Sequence, residues 1–87
     1  MKIVVLGSSS SGNSTFVNID NVKFLIDAGL QFGKLKDALY SINERPEDLD
    51  FIIVTHAHSD HVKSVHSFNR VYNTKIYISI ETLNEYN

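Results

Sequence analysis

The 87-residue sequence contains no cysteine and no tryptophan, and only one proline and four glycines. Without cysteine the chain forms no disulfide and no thiolate metal site, so any metal ion must be held by imidazole or carboxylate groups. No apolar run approaches the roughly 20 residues of a membrane span. The apolar run near the N-terminus is too short for a signal peptide. We therefore expect a cytoplasmic protein with no membrane association.

Positive and negative charges are nearly balanced, since the formal net charge is −2. This balance does not favour nucleic-acid binding through overall positive charge, although it leaves room for a local basic patch. Hydrophobic residues make up 43% and charged residues 21% of the sequence, which is typical of a globular protein. The length predicts one domain, residues 1–87, with a thin stability margin.

Hydrophobic patterning predicts strands that alternate with helices. Apolar, β-branched runs occupy residues 2–7, 14–20, 21–29, 51–55 and 75–80, and Ala28-Gly29 closes the third run. Helical spacing of apolar residues follows Leu35, Ala38, Leu39 and Ile42, and again Val62, Val65, Phe68 and Tyr72. The order β, ββ, α, β, α, β predicts a layered α/β domain. We expect a turn or loop at residues 8–13 and a tight hairpin turn at residues 20–21.

The densest polar feature is THAHSDHV, residues 55–62, which contains three of the four histidines. It follows the predicted strand FIIVT, and ligand sites of α/β sheets gather at the carboxyl ends of strands. In extended backbone His56 and His58 point the same way and can share a metal ion. Asp60 and His61 face another direction, which suits a second ion or a carboxylate that deprotonates water. These groups favour Zn²⁺, with Mn²⁺ or Fe²⁺ as alternatives.

The cluster also has a purely structural interpretation. Asp60, preceded by Ser59, would cap the following helix without any metal. Because four potential ligands fall within six positions, we favour the metal site over this alternative. We expect His66, five residues beyond the cluster, to be an ordinary, partly buried histidine.

Several segments resemble the metallo-β-lactamase superfamily. THAHSDHV resembles its H-x-H-x-D-H signature, and FLIDAG resembles the strand that ends in a motif aspartate, here Asp27. LGSSSSGNSTFV resembles the opening strand and Ser/Gly loop of the cytoplasmic, nuclease-like branch, typified by WalJ-like proteins. The resemblance runs from residue 1 to about residue 77. It implies a mixed β-sheet with flanking helices, as in the N-terminal half of the αββα fold.

The resemblance also implies roles for the polar residues. His56 and His58 would bind a first metal ion, and Asp60 and His61 would bind a second. Asp60 would also be the catalytic residue, which orients or deprotonates the attacking water. Asp27 would support the ligand loop through hydrogen bonds to its backbone or to a histidine; the alternative is a simple turn aspartate. The loop at residues 8–13 would either contact substrate phosphate or be a flexible polar loop.

The sequence departs from the superfamily in its ligand number. The superfamily's other ligands lie well downstream, whereas here no histidine follows His66 and no aspartate follows Asp60. Each ion would have two protein ligands, where a catalytic zinc usually has three. Three explanations are open. In the first, the chain is a piece of a longer hydrolase, and in the second, another chain completes its site. The third explanation is a non-catalytic binding or inhibitor module, encoded by a phage or mobile element.

We therefore expect a truncated metallo-β-lactamase-like domain, residues 1–87, that acts as a metal-dependent hydrolase when its site is completed. The expected substrate is a phosphodiester, such as a nucleic acid, rather than a lactam. A homo-oligomer or another protein partner would cover the sheet face and edge that the missing half leaves exposed.

Overall fold

A five-stranded mixed sheet forms the centre of the fold in the computed structural model, which describes residues 1–86, with Tyr86 described by its backbone alone. In chain order and in spatial order its strands are β1 (Lys2–Ser9), β2 (Gly12–Ile19), β3 (Val22–Ile26), β4 (Phe51–Val54) and β5 (Lys75–Ile78). Strands β1, β2 and β3 pair antiparallel, whereas β3, β4 and β5 pair parallel. The predicted mixed sheet is confirmed.

The helices of the described residues mainly link the parallel strands, which need crossover connections. They are α1 (Phe32–Ser41), α2 (Ser59–Val62), α3 (Val65–Tyr72) and α4 (Ile80–Tyr86), with a 3₁₀ turn at Pro46–Asp48. Helix α1 joins β3 to β4, and α2 and α3 join β4 to β5. Among the described residues, no helix combines the length and apolarity that crossing a membrane requires.

The hydrophobic core lies between one face of the sheet and helices α1 and α3. Its largest fully buried apolar side chains are Phe16, Leu25 and Ile52 from the sheet and Leu35, Leu39 and Phe68 from the helices. The three sheet residues are register partners across β2, β3 and β4. Both predicted helical faces therefore contribute to the core.

The opposite face of the sheet is apolar and partly exposed. Strand register places Ile3, Val17, Phe24 and Phe51 in one row across β1 to β4. The rings of Phe24 and Phe51 stack with centroids 4.7 Å apart, and Phe51 meets Tyr77 edge-on at 5.3 Å. Ile3 is 59% exposed and Tyr77 is 54% exposed. We call this surface, formed around Ile3, Phe24, Phe51 and Tyr77, the open sheet face.

The two hairpin connections differ in how well the sequence predicted them. The turn at Asp20 and Asn21 is confirmed, and both residues have positive φ values, 51° and 68°, as a two-residue hairpin turn requires. The loop predicted at residues 8–13 is wrong in extent. Backbone pairing continues to Ser9 and Gly12, so that only residues 10 and 11 form the turn. The hydrogen-bonded ladder outweighs the low strand propensity of serine and glycine.

The helix predicted after the histidine cluster is divided in two at Ser64. This buried residue donates hydrogen bonds from both its backbone N–H and its Oγ to the carbonyl of Ala28, at 2.8 and 3.0 Å. The second helix turns Val65 and Phe68 to the core. His66 is therefore exposed rather than partly buried as expected.

Candidate metal centre

Two neighbouring parallel strands deliver the polar cluster to one edge of the sheet. Strand β3 is followed directly by Asp27 and strand β4 by Thr55, and the Asp27 N–H donates to the Ile53 carbonyl at 2.7 Å. His56 and His58 follow β4, and His58 has extended backbone just before α2. The cluster thus lies at the carboxyl ends of parallel strands, the usual position of ligand sites in such sheets.

Asp27 is a buried carboxylate that holds the segment after β4 in place. Its Oδ1 accepts a hydrogen bond from the Thr55 N–H at 2.8 Å. Its Oδ2 lies 2.6 Å from Thr55 Oγ1 and 2.7 Å from His61 Nδ1. The backbone of Asp27 has φ 65°, a left-handed conformation that aspartate tolerates better than most residues. These are the contacts expected of a carboxylate that supports the histidine loop.

His61 and Asp60 present their outer atoms to the same region. With Nδ1 of His61 bonded to Asp27, Nε2 lies 3.7 Å from Asp60 Oδ2. Two ligand atoms of one tetrahedral zinc, each at about 2.0–2.1 Å, are roughly 3.4 Å apart. The pair therefore needs little adjustment to share an ion.

His56 lies closer to His61 than to His58. The ring centroids of His56 and His61 are 4.7 Å apart, whereas those of His56 and His58 are 6.4 Å apart. Potential ligand atoms of Asp27, His56 and His61 all lie within 4.8 Å of one another. Because the Asp27 oxygens already accept hydrogen bonds from Thr55 and His61, we interpret this carboxylate as a support and the imidazoles as the donors.

Asn13 holds Asp60, a contact that the sequence did not predict. Its Nδ2 amide lies 3.1 Å from Asp60 Oδ2, 3.2 Å from the Asp60 carbonyl and 3.0 Å from the Ser9 carbonyl. One hairpin thus contacts the centre through a side chain. In a run of small polar residues nothing distinguishes Asn13 beforehand, and the only hint for Thr55 is its position before the first histidine.

Comparison with known proteins finds relatives over most of the chain. A family model described as the metallo-beta-lactamase superfamily matches residues 8–87. The exodeoxyribonuclease WalJ of Streptococcus pneumoniae is 43% identical over 81 residues, which cover 93% of this chain and 30% of that protein. The exodeoxyribonuclease YycJ of Bacillus anthracis is 42% identical over 81 residues, covering 92% and 30%. The chain therefore spans about 30% of the length of these relatives.

Solved metallo-beta-lactamase structures share the fold. One from Cronobacter sakazakii with a HARLDQ motif superposes with a TM-score of 0.82 at 18% identity, covering 95% of this chain and 30% of that one. The Rm3 metallo-beta-lactamase gives a TM-score of 0.82 at 24% identity, covering 95% and 31%. At this level of identity the likeness concerns the fold alone.

Proposed function

Because the chain belongs to the metallo-β-lactamase superfamily, we propose that residues 1–87 form a truncated domain of a metal-dependent phosphodiester hydrolase that acts on DNA in the cytoplasm. The observation that carries this proposal is the convergence of His56, Asp60 and His61 at one sheet edge, supported by the buried Asp27. The likeness to two proteins named exodeoxyribonucleases supports the choice of substrate.

The donor set fits zinc, with manganese or iron as alternatives. We propose that His56 and His58 bind one ion and that Asp60 and His61 bind a second. Imidazole with carboxylate, in a chain that contains no cysteine, suits these metals. A bound ion would polarise a phosphoryl oxygen and make water a stronger nucleophile at neutral pH.

Asp60 is the proposed general base. Its Oδ2 is held by the Asn13 amide at 3.1 Å, and its side chain keeps 29% of its surface exposed, so that water and substrate can reach it. In the proposed step Asp60 takes the proton of the attacking water while a new phosphorus–oxygen bond forms. The bond from phosphorus to the ester oxygen breaks, and the leaving oxygen takes a proton from solvent.

The open sheet face provides a surface on which more protein would complete the site. Large exposed apolar surfaces mark interaction sites, and Ile3 and Tyr77 on this face are more than half exposed. We propose a second copy of this chain as the occupant. Light scattering over a range of protein concentrations should show a dimer, and Tyr77→Lys should shift the equilibrium to monomer. A monomer at every concentration contradicts self-association.

The open sheet face also supports a second candidate function, a non-catalytic binding or inhibitor module, since Ile3 and Tyr77 on it are 59% and 54% exposed. Hydrolysis separates the two functions. The zinc- or manganese-loaded protein should degrade a linear DNA oligonucleotide, chelator should stop the reaction, and Asp60→Asn should lower the rate by about 10²–10⁴-fold. His66→Ala, outside the cluster, should leave the rate unchanged. Metal binding with no hydrolysis by the associated form would favour the binding module.

A further inference from the structure

Thr55 connects a buried carboxylate to an exposed histidine. Its hydroxyl lies 2.6 Å from Asp27 Oδ2 and 2.9 Å from Nδ1 of His56. Its backbone N–H also donates to Asp27 Oδ1 at 2.8 Å. Because the carboxylate holds Thr55 at two points, the hydroxyl has little freedom to turn away from the two partners.

The number of protons that these groups can donate fixes the direction of each hydrogen bond. An ionised carboxylate only accepts hydrogen bonds, and a hydroxyl has a single proton to donate. The Thr55 proton therefore points to Asp27, and the hydroxyl oxygen can only accept from His56. Nδ1 of His56 must then carry the ring proton, which leaves the lone pair of Nε2 exposed.

From this chain of bonds we propose that Thr55 is a positioning residue that holds His56 as the Nδ1–H tautomer and so makes Nε2 the donor to a metal ion. The inference rests on the proposed function, which it deepens by naming the donor atom and the group that selects it. Partners of this kind, bonded to the far nitrogen of a metal-binding histidine, typically change metal affinity 10–100-fold.

The Asp27 carboxylate also selects the Nδ1–H tautomer of His61, and it does so through a direct hydrogen bond. Its Nδ1 lies 2.7 Å from Asp27 Oδ2, so that it must donate its proton there and leave Nε2 exposed. One buried carboxylate thus orients two rings whose centroids are 4.7 Å apart, one directly and one through a hydroxyl. The His58 ring has no hydrogen-bond partner among residues 1–86, which makes it the least oriented of the three.

Long-range ¹⁵N NMR of the histidine rings tests the proposal in metal-free protein at a pH of about 8, where free imidazole is neutral. Thr55→Val removes the hydroxyl but keeps the shape and the backbone N–H, whereas Thr55→Ser keeps the hydroxyl. We expect the Nδ1–H tautomer of His56 in the wild type and in Thr55→Ser, and a mixture of tautomers in Thr55→Val. Zinc affinity should fall at least about 10-fold in Thr55→Val and stay near wild type in Thr55→Ser.

Ser59→Ala is a control in the same segment, because the Ser59 side chain makes no hydrogen bond among residues 1–86. It should change neither the tautomer nor the affinity. A wild-type His56 with its proton on Nε2 would overturn the proposal, even if Thr55→Val did not fold. An unchanged zinc affinity in folded Thr55→Val would also overturn it. If the wild type shows the expected tautomer but binds no zinc, the Thr55 bond stands and the proposed metal-dependent function fails.

Discussion

The backbone of Gly29 lies directly against the backbone of Asp60. A β-carbon at position 29 would overlap the Asp60 carbonyl group and approach the amide nitrogen of His61. Backbone hydrogen bonds hold this contact. The Gly29 N–H donates to the Asn13 carbonyl at 2.9 Å, and the Ala28 N–H donates to the His61 carbonyl at 2.8 Å. The position of the turn that carries Asp60 and His61 therefore depends on the absence of a side chain at Gly29.

We predict that Gly29→Ala lowers the free energy of unfolding by about 1–3 kcal/mol or more, because the new methyl group must displace the backbone of Asp60. It should also weaken metal binding, since Asp60 and His61 move with that backbone. Gly33→Ala is the matched control. A β-carbon there has no neighbour within 4 Å, and the residue lies in α1, so we expect about 0.5–1 kcal/mol of stabilisation. Equal unfolding free energies of the two variants in urea would contradict the close contact at Gly29.

Removal of a proposed ligand should lower the metal content, whereas removal of the remaining histidine, His66, should not. His58→Ala should lower the metal content per chain, because it removes one of the two imidazoles proposed for the first ion. His66→Ala should leave it unchanged, since His66 is exposed on α3 outside the cluster. Elemental analysis after dialysis measures both. Unchanged metal content in His58→Ala would remove the case for an ion at His56 and His58.

Phe68 is the central aromatic residue between the helices. It is fully buried, and its ring contacts Phe32 edge-on with centroids 5.0 Å apart. We predict that Phe68→Ala lowers the free energy of unfolding by about 3–5 kcal/mol. Val71→Ala, on the same helix but 52% exposed, should change it by no more than about 0.5 kcal/mol. A wild-type unfolding midpoint for Phe68→Ala would show that this helix face is not core.

Glu44 links stability to pH at the far side of the fold. Burial raises the pKa of Glu44, but contacts with Lys2 at 2.9 Å and Lys23 at 3.1 Å lower it by more, so that the pKa lies below its usual value of 4.5. A carboxyl with a lowered pKa stabilises the fold above its unfolded pKa, and this stabilisation is lost as the pH falls through the folded pKa.

We therefore predict that the free energy of unfolding decreases as the pH falls below 4.5, the usual pKa of this carboxyl, and that Glu44→Gln weakens this decrease. Urea denaturation at several pH values compares the two proteins. Exposed Glu81 provides a control, since Glu81→Gln should keep the wild-type pH dependence. If Glu44→Gln and the wild type respond to pH alike, the two lysine contacts do not stabilise the fold.

The order of the elements was predictable because each is encoded locally. Strand β4 is a continuous apolar run, and the turn at Asp20 and Asn21 uses residues that tolerate positive φ. The position of the histidine cluster follows from strand β4 alone, because ligand sites lie where parallel strands end. The break at Ser64 was not predictable, since it depends on a hydrogen bond to Ala28, 36 residues earlier in the chain.

The contacts that organise the candidate centre were only partly predictable. Support of the ligand loop by Asp27 followed from resemblance to the superfamily, but its partners Thr55 and His61 required the parallel pairing of β3 with β4. Asn13 lies 47 residues before Asp60, and no periodicity or spacing connects the start of strand β2 to a helix that far away.

The metal content per chain, measured by elemental analysis on protein purified without chelator and dialysed, shows whether His56, His58, Asp60 and His61 form a metal centre. We expect about one to two equivalents of zinc, manganese or iron in the wild type. The double variant His56→Ala and His61→Ala should lose most of this metal. A folded wild-type protein that carries no metal, even after incubation with zinc, would show that these residues form no metal centre.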